Sequence, residues 1–217
     1  MKMNEKKIFD FNLRYFLILV PLLYTALDFI MNFFVLNYTS YINTISDQIN
    51  SEVAEAITNR LLVFQRLEYL FVPLAVCIKL LSVGLAVYIG IQLSNFSISF
   101  NEVLKIIILA EFVLFTGEVI RVLYFLHNGF QGFDQLKEFY PLSIGNFVNL
   151  NQFSKEFRYS FKFLNFFQLL YIFLLINLIT IKLKSSFYQS AKLVLSTYGL
   201  LLVMWNILII FLQLRFS

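Results

Sequence analysis

Apolar residues gather along this chain in five long stretches, 15–36, 67–93, 104–126, 163–183 and 193–214, separated by polar connections. A helix needs about 20 mostly apolar residues to cross the hydrocarbon of a bilayer, and each stretch meets that length. The pattern predicts an all-α, polytopic integral membrane protein. Its single domain, 1–217, is a bundle of about five transmembrane helices. The connections alternate, short at 94–103 and 184–192, long at 37–66 and 127–162. Pro21 and Pro73 fall near the beginnings of spans, where a kink is tolerable, and Pro141 falls in a loop.

Both long connections carry structure of their own. From Ser46 onward the first reads as a helix, with Ser46 as its cap and Ile49, Val53, Ile57 and Leu61 recurring every four residues. It is either an amphipathic surface helix or a continuation of the second span. The second holds Gly129, Gly132, the run Tyr140-Pro141-Leu142-Ser143 and Gly145, and reads as an ordered cap built from turns. The basic start of the chain resembles a signal peptide. Its apolar run to Leu36 exceeds the roughly 7–15 residues of a signal core, and no small-residue cleavage site follows, so a retained first helix is expected.

Composition agrees with the pattern. Of 217 residues, 59% are hydrophobic and 14% charged, against about 45–50% and about 25% in soluble domains. The net charge of +4 does not point to nucleic acid, because the basic residues lie between apolar segments and no nucleic-acid motif is present. They orient helices instead. Lys2, Lys6, Lys7 and Arg14 precede the first span, and Lys105, Lys182, Lys184 and Lys192 edge the short loops. The positive-inside rule then places the N-terminus and both short loops in the cytoplasm and the C-terminus outside. Abundant Phe, Ile, Asn and Lys fit an AT-rich genome, and the expected home is the bacterial cytoplasmic (inner) membrane. One cysteine, Cys77, and one histidine, His127, exclude an internal disulfide and a Cys/His zinc site. His127 reads as an interfacial polar residue.

The candidate chemistry lies inside the spans. Asp28, Lys79, Glu111, Glu118 and Arg121 each cost about 2.5–3.5 kcal/mol at a helix centre, so each is expected to face protein or water. Glu111 and Glu118 are seven apart on one face, and Arg121 follows Glu118 by three, within reach of an intrahelical pair. Tyr24, Asp28 and Asn32 form a polar stripe on the first span, and Lys79 is the expected partner of Asp28 or Glu111. Asn165 and Gln168 in the fourth span, and Asn206 and Gln213 on one face of the fifth with Gly199, read as interhelical hydrogen-bonding groups. Two readings stand side by side: charges that pair to fix helix packing, and acids that form a proton or ion pathway. No Ser-His-Asp set, phosphate loop or metal box is visible, so no enzymatic activity and no cofactor are expected.

Two short segments look alike. Ser99-Phe100 is followed by Lys105 and an apolar run, and Ser186-Phe187 by Lys192 and an apolar run, as in a parallel repeat of two spans. With Ser-Phe-Asn-Glu-Val-Leu-Lys entering the third span, Leu164-Asn165-Phe166-Phe167-Gln168-Leu169-Leu170 opening the fourth and Ser186-Phe187-Tyr188-Gln189-Ser190-Ala191-Lys192 entering the fifth, residues 97–214 resemble the Yip domain family of five-span membrane proteins, including its bacterial members. That family's long soluble N-terminal region has no counterpart here. The resemblance implies a non-enzymatic membrane scaffold or accessory subunit, with other membrane proteins or further copies of the chain as partners in the lipid bilayer. The alternative is a small transporter or permease component built on the intramembrane acids.

Overall fold

A computed structural model describes residues 8–46, 49–130, 132–149, 152–154, 158 and 161–216. The described residues are helical, without a strand. The elements are α1 (Leu13–Phe34), α2 (Tyr38–Ser46), α3 (Ser51–Leu93), α4 (Phe100–Asn128), α5 (Phe133–Glu138), a turn of 3-10 helix (Ile144–Asn146), α6 (Phe166–Leu183), α7 (Phe187–Val194), a π-helical turn (Leu195–Gly199) and α8 (Leu200–Phe216).

Four of these segments are long and apolar enough to cross a membrane: Leu13–Phe34, Ser51–Leu93, Phe166–Leu183 and the continuous run Phe187–Arg215. The expected third span lies in α4, which at 29 residues is long enough. Glu111, Glu118 and Arg121 interrupt its apolar character, which sets α4 apart from the other four in composition.

Helix starts follow local chemistry. Asn12 caps α1 by accepting from the Arg14 backbone N–H. Ser99 and Glu102 form a capping box at α4, and Ser186 and Gln189 form another at α7. The sequence likeness of those two segments is therefore carried, in structure, by two equivalent helix starts. Pro21 and Pro73 sit inside α1 and α3.

The first long connection departs from expectation in two ways. Ser46 ends α2 and does not cap the next helix; Asn50 caps α3, its side chain accepting from the Glu52 N–H. From Ser51 the helix runs unbroken for 43 residues, so the second span continues into the loop. At about 1.5 Å per residue it is some 65 Å long, well beyond the roughly 30 Å hydrocarbon thickness. Of the stripe Ile49, Val53, Ile57 and Leu61, the first three are exposed and only Leu61 packs against the core. Ala54, Thr58 and Gln65 point inward, because their small or hydrogen-bonding side chains let Tyr41 and Ile45 of α2 approach closely.

α4 is the centre of the bundle. It packs against α1, α3 and α6, and Val103, Ile106, Ile107, Ile108, Ala110 and Phe125 are fully removed from the surface. Two glycines mark close crossings. A Cβ on Gly90 of α3 would stand 2.3 Å from Thr197 Cγ2 of the π turn, and one on Gly117 of α4 would stand 2.5 Å from the Tyr140 hydroxyl. By contrast, α8 grows out of the π turn with no described side chain buried.

Candidate functional site

The polar residues of α1, α3 and α4 converge. Glu111, 1% exposed, is the focus: its Oε1 accepts hydrogen bonds from Lys79 Nζ at 2.6 Å and from the Tyr24 hydroxyl at 2.8 Å. Lys79 therefore chooses Glu111 over Asp28. The pair is lopsided, since the Lys79 side chain keeps 41% of its surface while the Glu111 side chain keeps 1%. Glu111 Oε2 is buried and has no hydrogen-bond partner among the described residues. A carboxylate held by one oxygen at the junction of three helices locks their relative rotation, because turning any of them strands a charge in a low-dielectric interior.

Toward the C-terminal end of α4 the second pair forms as its spacing implies. Arg121 Nη1 lies 3.4 Å from Glu118 Oε2, and Nη2 donates to the Leu136 carbonyl at 2.8 Å, so the guanidinium also fastens α5. Across from it, Asn32 Nδ2 faces Asp28 Oδ2 at 3.3 Å and Glu68 Oε2 at 3.5 Å. Gln65 Nε2 binds the Leu36 carbonyl at 2.6 Å and the Tyr41 hydroxyl at 2.9 Å, and faces Asn32 Oδ1 at 3.4 Å.

These groups enclose a cavity of about 290 Å³ whose polar lining includes Tyr24, Asp28, Asn32, Glu68, Glu118 and Arg121. Three carboxyl groups face one guanidinium there. Apolar walls from Leu27, Met31, Val72 and Val122 complete the lining. Tyr140, from the connection after α5, is buried beside Gly117. Burial, and then the Glu118 carboxylate, push its hydroxyl pKa above the ordinary tyrosine range. Lys162 is pushed the opposite way, down to about 8, by burial and then by the Arg121 charge.

On the N-terminal side a separate clamp ties the ends of the helices. Lys105 Nζ donates to the Phe9 carbonyl at 2.8 Å, and Lys182 pairs with Glu102 while lying 5.3 Å from the Phe9 ring centroid. The N-terminal segment, the start of α4 and the end of α6 thus lie on one side of the bundle. The hydrogen bond from Lys182 holds the Glu102 carboxyl below its ordinary range.

The structure therefore brings Asp28, Asn32, Glu118 and Arg121 to one cavity, and joins Lys79 to Glu111 next to it. Gln168 does bridge helices, its Nε2 donating to the Tyr198 hydroxyl at 2.5 Å. The other expected interhelical amides differ. Asn165 caps α6, accepting from the Gln168 N–H at 2.8 Å, because a helix start needs that acceptor more than a neighbour does. Asn206 turns back on the Leu202 carbonyl of its own helix, and Gln213 Oε1 has no hydrogen-bond partner among the described residues.

Glu68 and Gln65 were not singled out from sequence. The signal was present: Ala54, Thr58, Gln65, Val76, Leu80, Val83, Val87 and Ile91 keep to one helical face, and this face passes beside Glu68. Among the described residues no group of three or more His, Cys, Asp or Glu is placed to hold a metal ion. No family model matches the chain, and neither a curated protein nor a solved structure resembles it significantly.

Proposed function

We propose that this chain is an integral membrane protein of five crossings, α4 included, that works without catalysis, as a scaffold or accessory subunit of a membrane assembly. In this reading α4 crosses because its charges meet partners instead of lipid, as with Glu111, Lys79 and Tyr24. The N-terminus lies in the cytoplasm, where the basic residues near Phe9 and the α6–α7 turn gather, and a bacterial inner membrane is the proposed setting. Two of the segments on which the Yip-like resemblance rests, at Ser99 and Ser186, are capped helix starts.

The observation that carries the assembly reading is α8, a 17-residue apolar helix with no described side chain buried within its own chain. Purification of the tagged chain in mild detergent, followed by mass spectrometry, tests it. Stoichiometric recovery of defined membrane partners or of an oligomer supports the reading, and recovery as a lone monomer from native membranes overturns it.

A second reading, a small transporter or permease component, is favoured by the cavity alone. Asp28, Glu68 and Glu118 line it together with Arg121, and acids at such a position mark ion or substrate paths in membrane proteins. Under this reading Glu118→Gln and Asp28→Asn abolish flux in reconstituted vesicles while the protein still folds.

A further inference from the structure

A groove of about 540 Å³ opens where the N-terminal segment meets the start of α4. Arg14 and Lys105 stand at it, and Leu13, Leu17, Phe100 and Leu104 supply apolar wall. Glu102 also borders the groove, but its carboxylate is engaged by Lys182 and by the capping box with Ser99. It is thus not available as the counter-ion of Arg14 or Lys105. Lys105 donates to the Phe9 carbonyl and lies 5.3 Å from the Phe11 ring centroid, and it is in no ion pair among the described residues. Arg14 is exposed, and its side chain is in no ion pair among the described residues.

Two cations without a counter-anion among the described residues, at the head of an apolar cleft, match one kind of molecule in a membrane. We propose that this groove binds the phosphate headgroup of an anionic phospholipid in the leaflet on the N-terminal side, with an acyl chain laid against Leu17 and Leu104. The inference rests on reading the chain as membrane-spanning. Resistance of the membrane-bound protein to alkaline carbonate extraction tests that reading separately, so the two can fail independently.

The experiment is native mass spectrometry of the full chain in detergent, titrated with phosphatidylglycerol or with phosphatidylcholine of the same acyl chains. Preferential retention of phosphatidylglycerol is expected. Arg14→Gln reduces that preference by about fivefold, the effect of one basic residue at an anionic surface. Lys105→Gln reduces it further, and because Lys105 also holds Phe9, its unfolding midpoint is recorded alongside. Arg60→Gln, on the exposed part of α3 away from the groove, leaves the preference unchanged. Equal retention of the two lipids, or an unaltered preference in Arg14→Gln, overturns the proposal. Displacement of phosphatidylglycerol by equimolar inorganic phosphate overturns it too, assigning the groove to a free anion.

Discussion

Glu111 sets the energetics at the residue scale. Removing the Tyr24 hydroxyl by Tyr24→Phe takes one donor from a fully buried carboxylate and is expected to cost about 1–3 kcal/mol. Lys79→Met costs more, because it strands the charge itself; combining it with Glu111→Gln restores part of the loss, since the double variant no longer buries an unpaired carboxylate. Unfolding of the four proteins in one detergent gives the cycle, and strictly additive losses contradict the pairing. Lys162 offers a second probe. Its ammonium titrates at about 8 because burial and then Arg121 disfavour the charged form. Modification by an amine-selective reagent at that position should rise through about pH 8, and Arg121→Gln should move the rise to higher pH. The sign for folding follows: the native state disfavours the proton, so this group costs stability below pH 8, and the cost is relieved as pH climbs from about 8 toward the unfolded lysine value of about 10.4.

At the element scale, close crossings and clamps hold the helices. Gly90 lets α3 meet the π turn, and any side chain there meets Thr197 at 2.3 Å. Gly90→Val is expected to destabilise by about 1–3 kcal/mol through overpacking, with Thr197→Ser recovering part of it by removing the opposing methyl. The Lys182–Glu102 clamp between α6 and α4 has a pH signature. Because Glu102 is held below its ordinary range by Lys182, the clamp contributes fully above the unfolded carboxyl pKa of about 4.3 and fades as pH falls through the lowered folded value. Melting midpoints of wild type and Glu102→Gln should converge in that acid range and separate above it; parallel curves would remove the clamp from the account. The effect is small, since the Glu102 side chain is 40% exposed and water screens the pair.

For the whole molecule, the buried core stops short of α8, the helix on which the proposed assembly rests. The core lies between α1, α3, α4, α6 and the start of the last span, with Leu193, Val194 and Tyr198 its last buried members. Truncation before Leu200 is therefore expected to leave the unfolding midpoint of the remainder nearly unchanged while abolishing assembly. Light scattering of the protein–detergent complex together with a melting curve reads both, and a collapsed midpoint would show that α8 belongs to the fold.

Four membrane-length apolar helices, their order and the Glu118–Arg121 pair were legible in the sequence, because apolar length and intrahelical spacing are local properties of the chain. The capped starts at Ser99 and Ser186 were visible as a repeated motif for the same reason. The extent of α3 was only half legible. Its first turns read as a helix, but periodicity left open whether they joined the second span, and which face turns inward depended on α2 being there to cover Ala54. Partner choice was beyond sequence altogether. Lys79 had two acids within plausible reach, and only the rotation of α3 against α4 gave it to Glu111; Glu68 joined Asp28 because α1 and α3 cross beside Asn32. Periodicity fixes the face a residue occupies, but the neighbour opposite that face is set by how helices distant in sequence rotate and cross, and only tertiary packing decides this.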